Sequence, residues 1–285
     1  MAAPQRLCRS VLYVPASKTR ALEKVGTLDV DSVIFDLEDA VAPAEKSSAR
    51  ETLADALDAG EFGHRQRIVR INGNDTEWGE ADARAVADMA CDAVLLPKAE
   101  DPGQVEEVAS LVSGTPVWCM METPRGVLNA PDIAALPSVE GFVLGTNDLA
   151  KEIGCATGGD RMAMMTALQT ALLAARTAGI ACVDGVYNAF RDEEGFRAEC
   201  EQGRALGMDG KTLIHPSQID VANAVFAPSG AETELASRQI EAYDEAIARG
   251  EAVAVVDGRI VESLHVETAR AVLAKAEAIR ERAVA

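Results

Sequence analysis

The sequence is short of several things, and each shortage excludes something. No stretch approaches the ~18 consecutive apolar residues of a membrane-spanning helix. The opening M-A-A-P-Q-R-L-C-R-S-V lacks the apolar core of a secretion signal. The expectation is a cytoplasmic protein with no membrane partner. Basic residues are scarce, 27 Lys and Arg against 46 Asp and Glu, for a net charge of −19 over 285 residues. So acidic a surface argues against nucleic acid as a partner; an anionic substrate would need local basic residues. The six cysteines are scattered with no C-x-x-C, so they read as reduced core thiols, and zinc-ligand spacing is missing. With three histidines and no G-x-S-x-G elbow, the pattern argues against a Ser-His-Asp hydrolase. No G-x-x-x-x-G-K-[ST] occurs, and Pro15-Ala16-Ser17-Lys18 stands where a dinucleotide fold would carry a glycine-rich loop.

What is present is a large apolar fraction, 48%, in a repeated order of short β-rich run and helical segment. The strand candidates are Ser10–Val14, Ser32–Asp36, Arg67–Ile71, Ala93–Leu96, Val117–Met121, Gly141–Leu144, Ala181–Asp184 and Lys211–Ile214. They are continuous apolar runs, as expected of parallel strands buried on both faces. Between them, segments such as Ala49–Ala59, Glu80–Ala90, Pro102–Leu111, Arg161–Ala178 and Glu193–Leu206 carry good helix formers at helical spacing. Turn residues punctuate the boundaries: Asn72-Gly73, Asp101-Pro102-Gly103, Gly158-Gly159 and Gly207. Eight such runs predict a (β/α)8 TIM barrel over residues 1–228, with its active site at the strand C-terminal ends. The polar residues there are Tyr13, Asp36, Glu38, Asp39, Arg70, Lys98, Glu122, Asp148, Asp184, Lys211 and His215. Polar groups also mark ordinary strand-to-loop transitions, and an open doubly wound sheet is the alternative fold.

Residues 229–285 read as an extension. Asp220–Phe226 finishes a helix, Pro228-Ser229-Gly230 breaks it, and Ala231–Arg249 forms a long helix stopped at Gly250. Ala252–Val256 and Arg259–Val261 flank Asp257-Gly258, a hairpin signal, and a last helix covers Val266–Ala283. A hairpin plus helices added to a complete barrel suits a lid, a surface packed on a neighbouring subunit, or a plain structural cap.

The chemistry centres on Val117–Ala150. Two strands joined by a helical segment bring Glu122 and Asp148 to one edge of the sheet. Two hard oxygen ligands facing open space suit Mg²⁺, which leaves its other positions to water and substrate; solvated loop acids are the competing reading. Arg70 offers a planar fork for a substrate carboxylate, or a salt bridge to a loop acid. Asp36, Glu38 and Asp39 suit a second shell around metal-bound waters, or a helix cap with solvated neighbours. Lys18, Arg20 and Lys24 are local positive charge fit for phosphates, with Arg20 and Lys24 on one helix face, or a solvated helix start. His215 reads as a general base or as a structural residue before Pro216.

Eight motifs in order, R-S-V-L-Y-V-P-A-S, D-S-V-I-F-D-L-E-D-A-V, R-I-V-R-I-N-G, L-L-P-K, M-M-E-T-P-R-G, G-T-N-D-L-A, K-T-L-I-H-P-S-Q and V-D-G-R-I-V-E, span nearly the whole chain. Together they resemble the citrate lyase β-subunit-like (CitE-like) branch of the HpcH/HpaI aldolase family. The resemblance implies a TIM barrel, Mg²⁺ and a CoA thioester substrate; at a two-carboxylate site Mn²⁺ is expected to substitute. It also implies homotrimers or homohexamers in which the C-terminal segment reaches a neighbour's site. Carried over by motif, Glu122 and Asp148 bind the metal, Arg70 takes the acid end of the substrate, and Tyr13, Arg20, Lys24, Ile214 and His215 contact substrate or CoA. One departure stands out: lyases of the family usually carry M-I-D in the C-terminal hairpin, and here Ile260-Val261-Glu262 occupies that place. Glutamate is the same acid on a stem longer by one C–C bond, ~1.5 Å, and a shift of ~1 Å in a reacting group changes rates by ~10²-fold. With Y-N-A-F-R-D-E-E-G, this points to the thioesterase members and to hydrolysis of (3S)-malyl-CoA, Glu262 activating water. The alternatives are reversible C–C cleavage of malyl-, methylmalyl- or citramalyl-CoA, and a non-catalytic subunit or acyl-carrier-binding module.

Overall fold

The computed structural model describes residues 6–60, 62–157 and 159–284. The chain divides into two compact units, residues 1–224 and 225–285, where the expected division falls at 228.

The first unit is a closed barrel of eight parallel strands in sequence order: β1 (Ser10–Pro15), β2 (Ser32–Asp36), β3 (Gln66–Arg70), β4 (Ala93–Leu96), β5 (Val117–Met121), β6 (Val139–Leu144), β7 (Ala181–Asp184) and β8 (Gly210–Leu213). Closure comes from β1 pairing with β8, Ser10 opposite Lys211. Nearly every strand residue is buried, as continuous apolar runs require when helices cover the outside and side chains fill the inside. The open-sheet alternative is thereby excluded.

The barrel interior is packed by Val11, Ile34, Ile68, Ala93, Leu95, Trp118, Met120, Val143 and Val183 among others. Strand side chains alternate faces, so residues two positions on point inward again. Val11 leads to Tyr13, Ile34 to Asp36, Ile68 to Arg70 and Met120 to Glu122. Period two therefore delivers four polar side chains to the top of the interior, above a layer of hydrocarbon.

The helical spacers differ from expectation in detail. β5 and β6 are joined by two short helices, Pro124–Leu128 and Ala130–Ala134, broken at Asn129 just before Pro131. The segment expected as a helix from Arg161 begins with a 3-10 turn, Met162–Met164, and continues as Met165–Ala178, because Arg161 is left-handed (φ 54°). Asp101 and Asp192 cap the helices they precede by accepting the main-chain N–H three residues on. Of the expected Gly158-Gly159 turn, Gly158 lies outside the described residues, as do residues 1–5 of the opening segment.

The second unit holds helix Gly230–Ala248, strands β9 (Ala254–Val256) and β10 (Arg259–Val261), and helix Ser263–Val284. Ser229 and Glu232 form a reciprocal capping box at the first of these helices. Asp257 and Gly258 both have positive φ, 51° and 74°, the backbone a two-residue hairpin turn needs. One hairpin face packs Ala254, Val256 and Val261 with Ala246 and Val266. On the other, the cross-strand partners Val255 and Ile260 stay exposed. Among the described residues no helix is long and apolar enough to cross a membrane.

Candidate active site

A cavity of about 300 Å³ opens at the C-terminal ends of the barrel strands. Its wall includes Tyr13, Asp36, Asp39, Arg70, Glu122 and Asp148 from the expected set. Glu122 follows β5 and is 2% exposed. Its Oε1 accepts the main-chain N–H of Lys98 at 2.8 Å. Lys98 presents that N–H from a left-handed backbone, φ 46°. The neighbouring Gly145 is needed as glycine, since a Cβ there would run into the Cβ and Oε2 of Glu122. Asp148 stands in the first turn of helix Thr146–Ile153, where a carboxylate meets the positive end of the helix. Burial pushes the Glu122 carboxyl up to about 7; the Lys98 N–H and Arg70 work the other way, while Glu38 and Asp148 add to the rise.

In the structure Arg70 forms salt bridges with the acids at and just after the end of β2, one of the two readings that the sequence left open. Its Nε and Nη2 donate to Asp36 at 2.7 and 2.6 Å, and Nη1 lies 2.8 Å from Glu38 and 3.6 Å from Asp39. The guanidinium sits 4.9 Å from the ring centre of Tyr13, within cation–π range. Asp36 accepts the N–H groups of Glu38 and Ala40 as well, so both its oxygens are engaged. Burial pushes the Tyr13 phenol well above its ordinary range, with Arg70 opposing. This tyrosine stays protonated and serves as ring and donor.

The other expected residues are more dispersed. Ile214 lines the cavity. His215 does not: it stacks on Phe190 (centroids 4.6 Å apart) and its Nδ1 accepts the N–H of Ser217, capping the turn Pro216–Gln218. That is the structural alternative for this histidine. Arg20 and Lys24 are exposed on helix Thr19–Val25 and are not part of the cavity wall. Asp184 and Lys211 belong to a different structure. Lys211 Nζ donates to Asp184 and Glu199 at 3.0 and 2.7 Å, and Arg161 Nη1 donates to Asp184 at 2.7 Å. These four charges are buried and balanced among themselves, and none belongs to the cavity wall. Glu262 lies in the second unit, exposed, its N–H donating to Nδ1 of His265 at the start of the last helix.

Sequence reasoning did not single out Met120, Thr146, Asn147, Asn188 and Thr212 as cavity wall. Thr146 and Asn147 carry a signal, lying in the G-T-N-D motif beside Asp148. Asn188 carries none: only the fold brings it to Asn147, with which it exchanges amide hydrogen bonds of 2.8 and 3.3 Å.

The family model for HpcH/HpaI aldolase/citrate lyase matches residues 9–216. The chain belongs to this family. Among aldolase/citrate lyase relatives, it is 61% identical over 271 residues to a (3S)-malyl-CoA thioesterase of Cereibacter sphaeroides (strain KD131 / KCTC 12085), covering 95% of each chain. It is 36% identical over 286 residues to citrate lyase subunit beta of Leuconostoc mesenteroides subsp. cremoris, covering 96% of this chain and 95% of that one. Its fold matches CitE from Mycobacterium tuberculosis in complex with magnesium, acetoacetate and coenzyme A. The TM-score is 0.80 at 32% identity, over 95% of this chain and 98% of that one. A barrel with a C-terminal extension is thus the architecture of the family member at hand.

Proposed function

We propose that the protein hydrolyses (3S)-malyl-CoA to malate and CoA, with Mg²⁺ held by Glu122 and Asp148. The metal fits the donor set. Burial raises the Glu122 carboxyl, with Glu38 and Asp148 adding to the rise, and a divalent cation would offset that cost of ionisation. A two-carboxylate site would leave the metal's other positions to water and substrate, as Mg²⁺ prefers. Mn²⁺ has the same ligand preferences and is expected to substitute. When bound, Mg²⁺ supplies a fixed double positive charge that orients and polarises the oxygens of the hydroxy acid.

Each residue then has a task. Arg70 pairs with the malyl carboxylate, held in place by Asp36 and by the Tyr13 ring. Of the acidic trio, Asp39 is the most exposed and the freest to hold waters around the metal, since Asp36 and Glu38 face Arg70. Tyr13, Arg20, Lys24, Ile214 and His215 contact substrate or CoA; of these, Tyr13 and Ile214 are part of the cavity wall. Glu262 takes a proton from the attacking water as its oxygen bonds to the thioester carbon. The C–S bond breaks, and the CoA thiolate leaves and takes the proton that Glu262 removed, which returns Glu262 to its carboxylate form. We assign Glu262 to a neighbouring copy's site in a homotrimer or homohexamer; the exposed Val255 and Ile260 give the hairpin an apolar surface for such docking. The setting is cytoplasmic, where CoA esters are made.

The observation that carries this reading is the cavity that joins Arg70 to Glu122 and Asp148, in a chain 61% identical to a malyl-CoA thioesterase. Reversible C–C cleavage of malyl-, methylmalyl- or citramalyl-CoA is the second reading, favoured by the likeness to citrate lyase subunit beta. Incubation of (3S)-malyl-CoA with protein and Mg²⁺ separates them. Malate plus CoA supports hydrolysis; glyoxylate plus acetyl-CoA supports the lyase. No turnover of free thioesters would return the chain to the carrier-binding class.

A further inference from the structure

The two sides of the Arg70 guanidinium are held very differently. Nε and Nη2 form a short parallel fork with Asp36, which main-chain N–H groups lock in place. Nη1 has poorer partners. It points at the sulfur of Met120, 3.7 Å away, a weak acceptor. Glu38 Oε2 lies 2.8 Å from it, yet that buried oxygen receives no hydrogen bond, so the contact is close in charge and poorly aligned. The other oxygen of Glu38, Oε1, is already 3.5 Å from Nζ of Lys98, whose side chain is 52% exposed while that of Glu38 is 12% exposed.

We propose that Glu38 is a stand-in for the substrate's carboxylate: it neutralises Nη1 of Arg70 in the free enzyme and moves onto Lys98 when an acid arrives. The proposal rests on the reading of Arg70 as the acid-binding residue. A buried arginine with one side unpaired is strongly destabilising, so the empty site needs a local anion. A perfectly aligned anion would be hard to displace, and Glu38 is misaligned. Burial and the neighbouring Asp39 oppose its charge, while Arg70 and Lys98 support it. An incoming carboxylate, fixed by its other contacts, can align with Nη1 and keeps the charge at Arg70 unchanged. A neutral ligand would strip Arg70 of one anion and return none. Glu38 is thus a specificity-determining residue that admits acids and refuses their neutral analogues, and Lys98 is the positioning residue that receives it.

The test is calorimetric titration of (S)-malate at saturating Mg²⁺, with Mg²⁺ affinity measured separately for each variant. Glu38→Gln keeps the shape and removes the competing charge, and should bind malate about three- to tenfold more tightly; Glu38→Asp, too short to reach Nη1, serves the same purpose if the glutamine variant fails to fold. Lys98→Met removes the parking place and should weaken malate binding by a similar factor, and that loss should vanish in Glu38→Gln/Lys98→Met. Equal or weaker malate binding by both Glu38 variants overturns the proposal. So does a Lys98→Met loss that persists in the double variant. Arg70→Lys is the separate control. If it binds malate as the parent does, the acid-binding reading of Arg70 itself is overturned. If it loses malate while the Glu38 variants gain nothing, only the stand-in role falls.

Discussion

The main-chain N–H of Lys98 donates to Oε1 of Glu122 across 2.8 Å, from a backbone with φ of 46°. A non-glycine residue in that region is strained, by roughly 1 kcal/mol, and here the strain aims a donor at a buried carboxylate. Lys98→Gly keeps the N–H and relieves the strain, so thermal stability should hold or rise by up to about 1 kcal/mol. Lys98→Pro removes the donor and cannot adopt a positive φ. Titration with Mg²⁺ should show an affinity loss of about tenfold or more, in line with loss of a ligand-orienting contact. Unchanged Mg²⁺ affinity in the proline variant would separate this bond from metal binding.

Glu122 makes the metal-free protein pH-sensitive. Its carboxyl sits at about 7, above its ordinary value of 4.5. The folded state therefore holds a proton that the unfolded state has released. The associated stability is fully present below about pH 4.5 and is lost as pH rises through 7, on the order of 3 kcal/mol. Glu122→Gln should flatten the slope of melting temperature against pH between 5 and 8 and melt higher than the parent at pH 8. Mg²⁺ must displace the same proton, so its affinity should climb with pH and level off above about 7.

Chelation gives a direct check of the carboxylate pair. EDTA should abolish thioester hydrolysis, and Mg²⁺ or Mn²⁺ should restore it. Glu122→Ala should remain folded and lose about 10²-fold or more in kcat/KM, the scale expected when a metal's charge is removed from a reacting centre. A variant that stays fully active places the metal elsewhere.

The buried quartet of Arg161, Asp184, Glu199 and Lys211 should behave as structure. Asp184→Ala leaves Lys211 and Arg161 with Glu199 as the one remaining acid of the quartet, which is expected to destabilise by about 3–5 kcal/mol. Chemical denaturation measures this. A loss below about 1 kcal/mol, the range of exposed pairs, would show that the charges are not coupled as their distances of 2.7–3.0 Å imply.

Glu262 is tested by two substitutions with different consequences. Glu262→Gln removes the base and should lower kcat by about 10²–10⁴-fold with little change in KM. Glu262→Asp draws the acid back by ~1.5 Å and should shift products from malate toward glyoxylate and acetyl-CoA, read by chromatography of the reaction mixture. No lyase product from the aspartate variant would remove side-chain length as the reason for water chemistry.

Much of the barrel is legible in the sequence. Val33, Ile34 and Phe35, or Val94, Leu95 and Leu96, are apolar on both faces of the strand, which only a sheet covered on both sides tolerates. Strand ends were legible to within a residue or two, because the first charged or turn residue marks them. Helix starts were less so. Nothing local in Arg161 announces its left-handed backbone, which delays the helix to Met165. The candidate site was half legible. Glu122, Asp148 and Arg70 stood out as charges closing apolar runs. Asp184 and Lys211 stood out on the same ground, yet they face Arg161 and Glu199 instead of the cavity.

The sequence by itself determined the alternation of strand and helix, the period-two placement of Tyr13, Asp36, Arg70 and Glu122 toward one interior, and the motifs that mark the family. These follow from backbone geometry and the burial of apolar surface, which act along the chain. The tertiary structure alone decided which charge meets which. Asp36 meets Arg70 because β2 and β3 pair them directly in register, and Lys98 meets Glu122 because one φ value turns an N–H through space. Electrostatic partners are chosen by distance and desolvation between strands far apart in sequence, and no pattern within a strand encodes that choice.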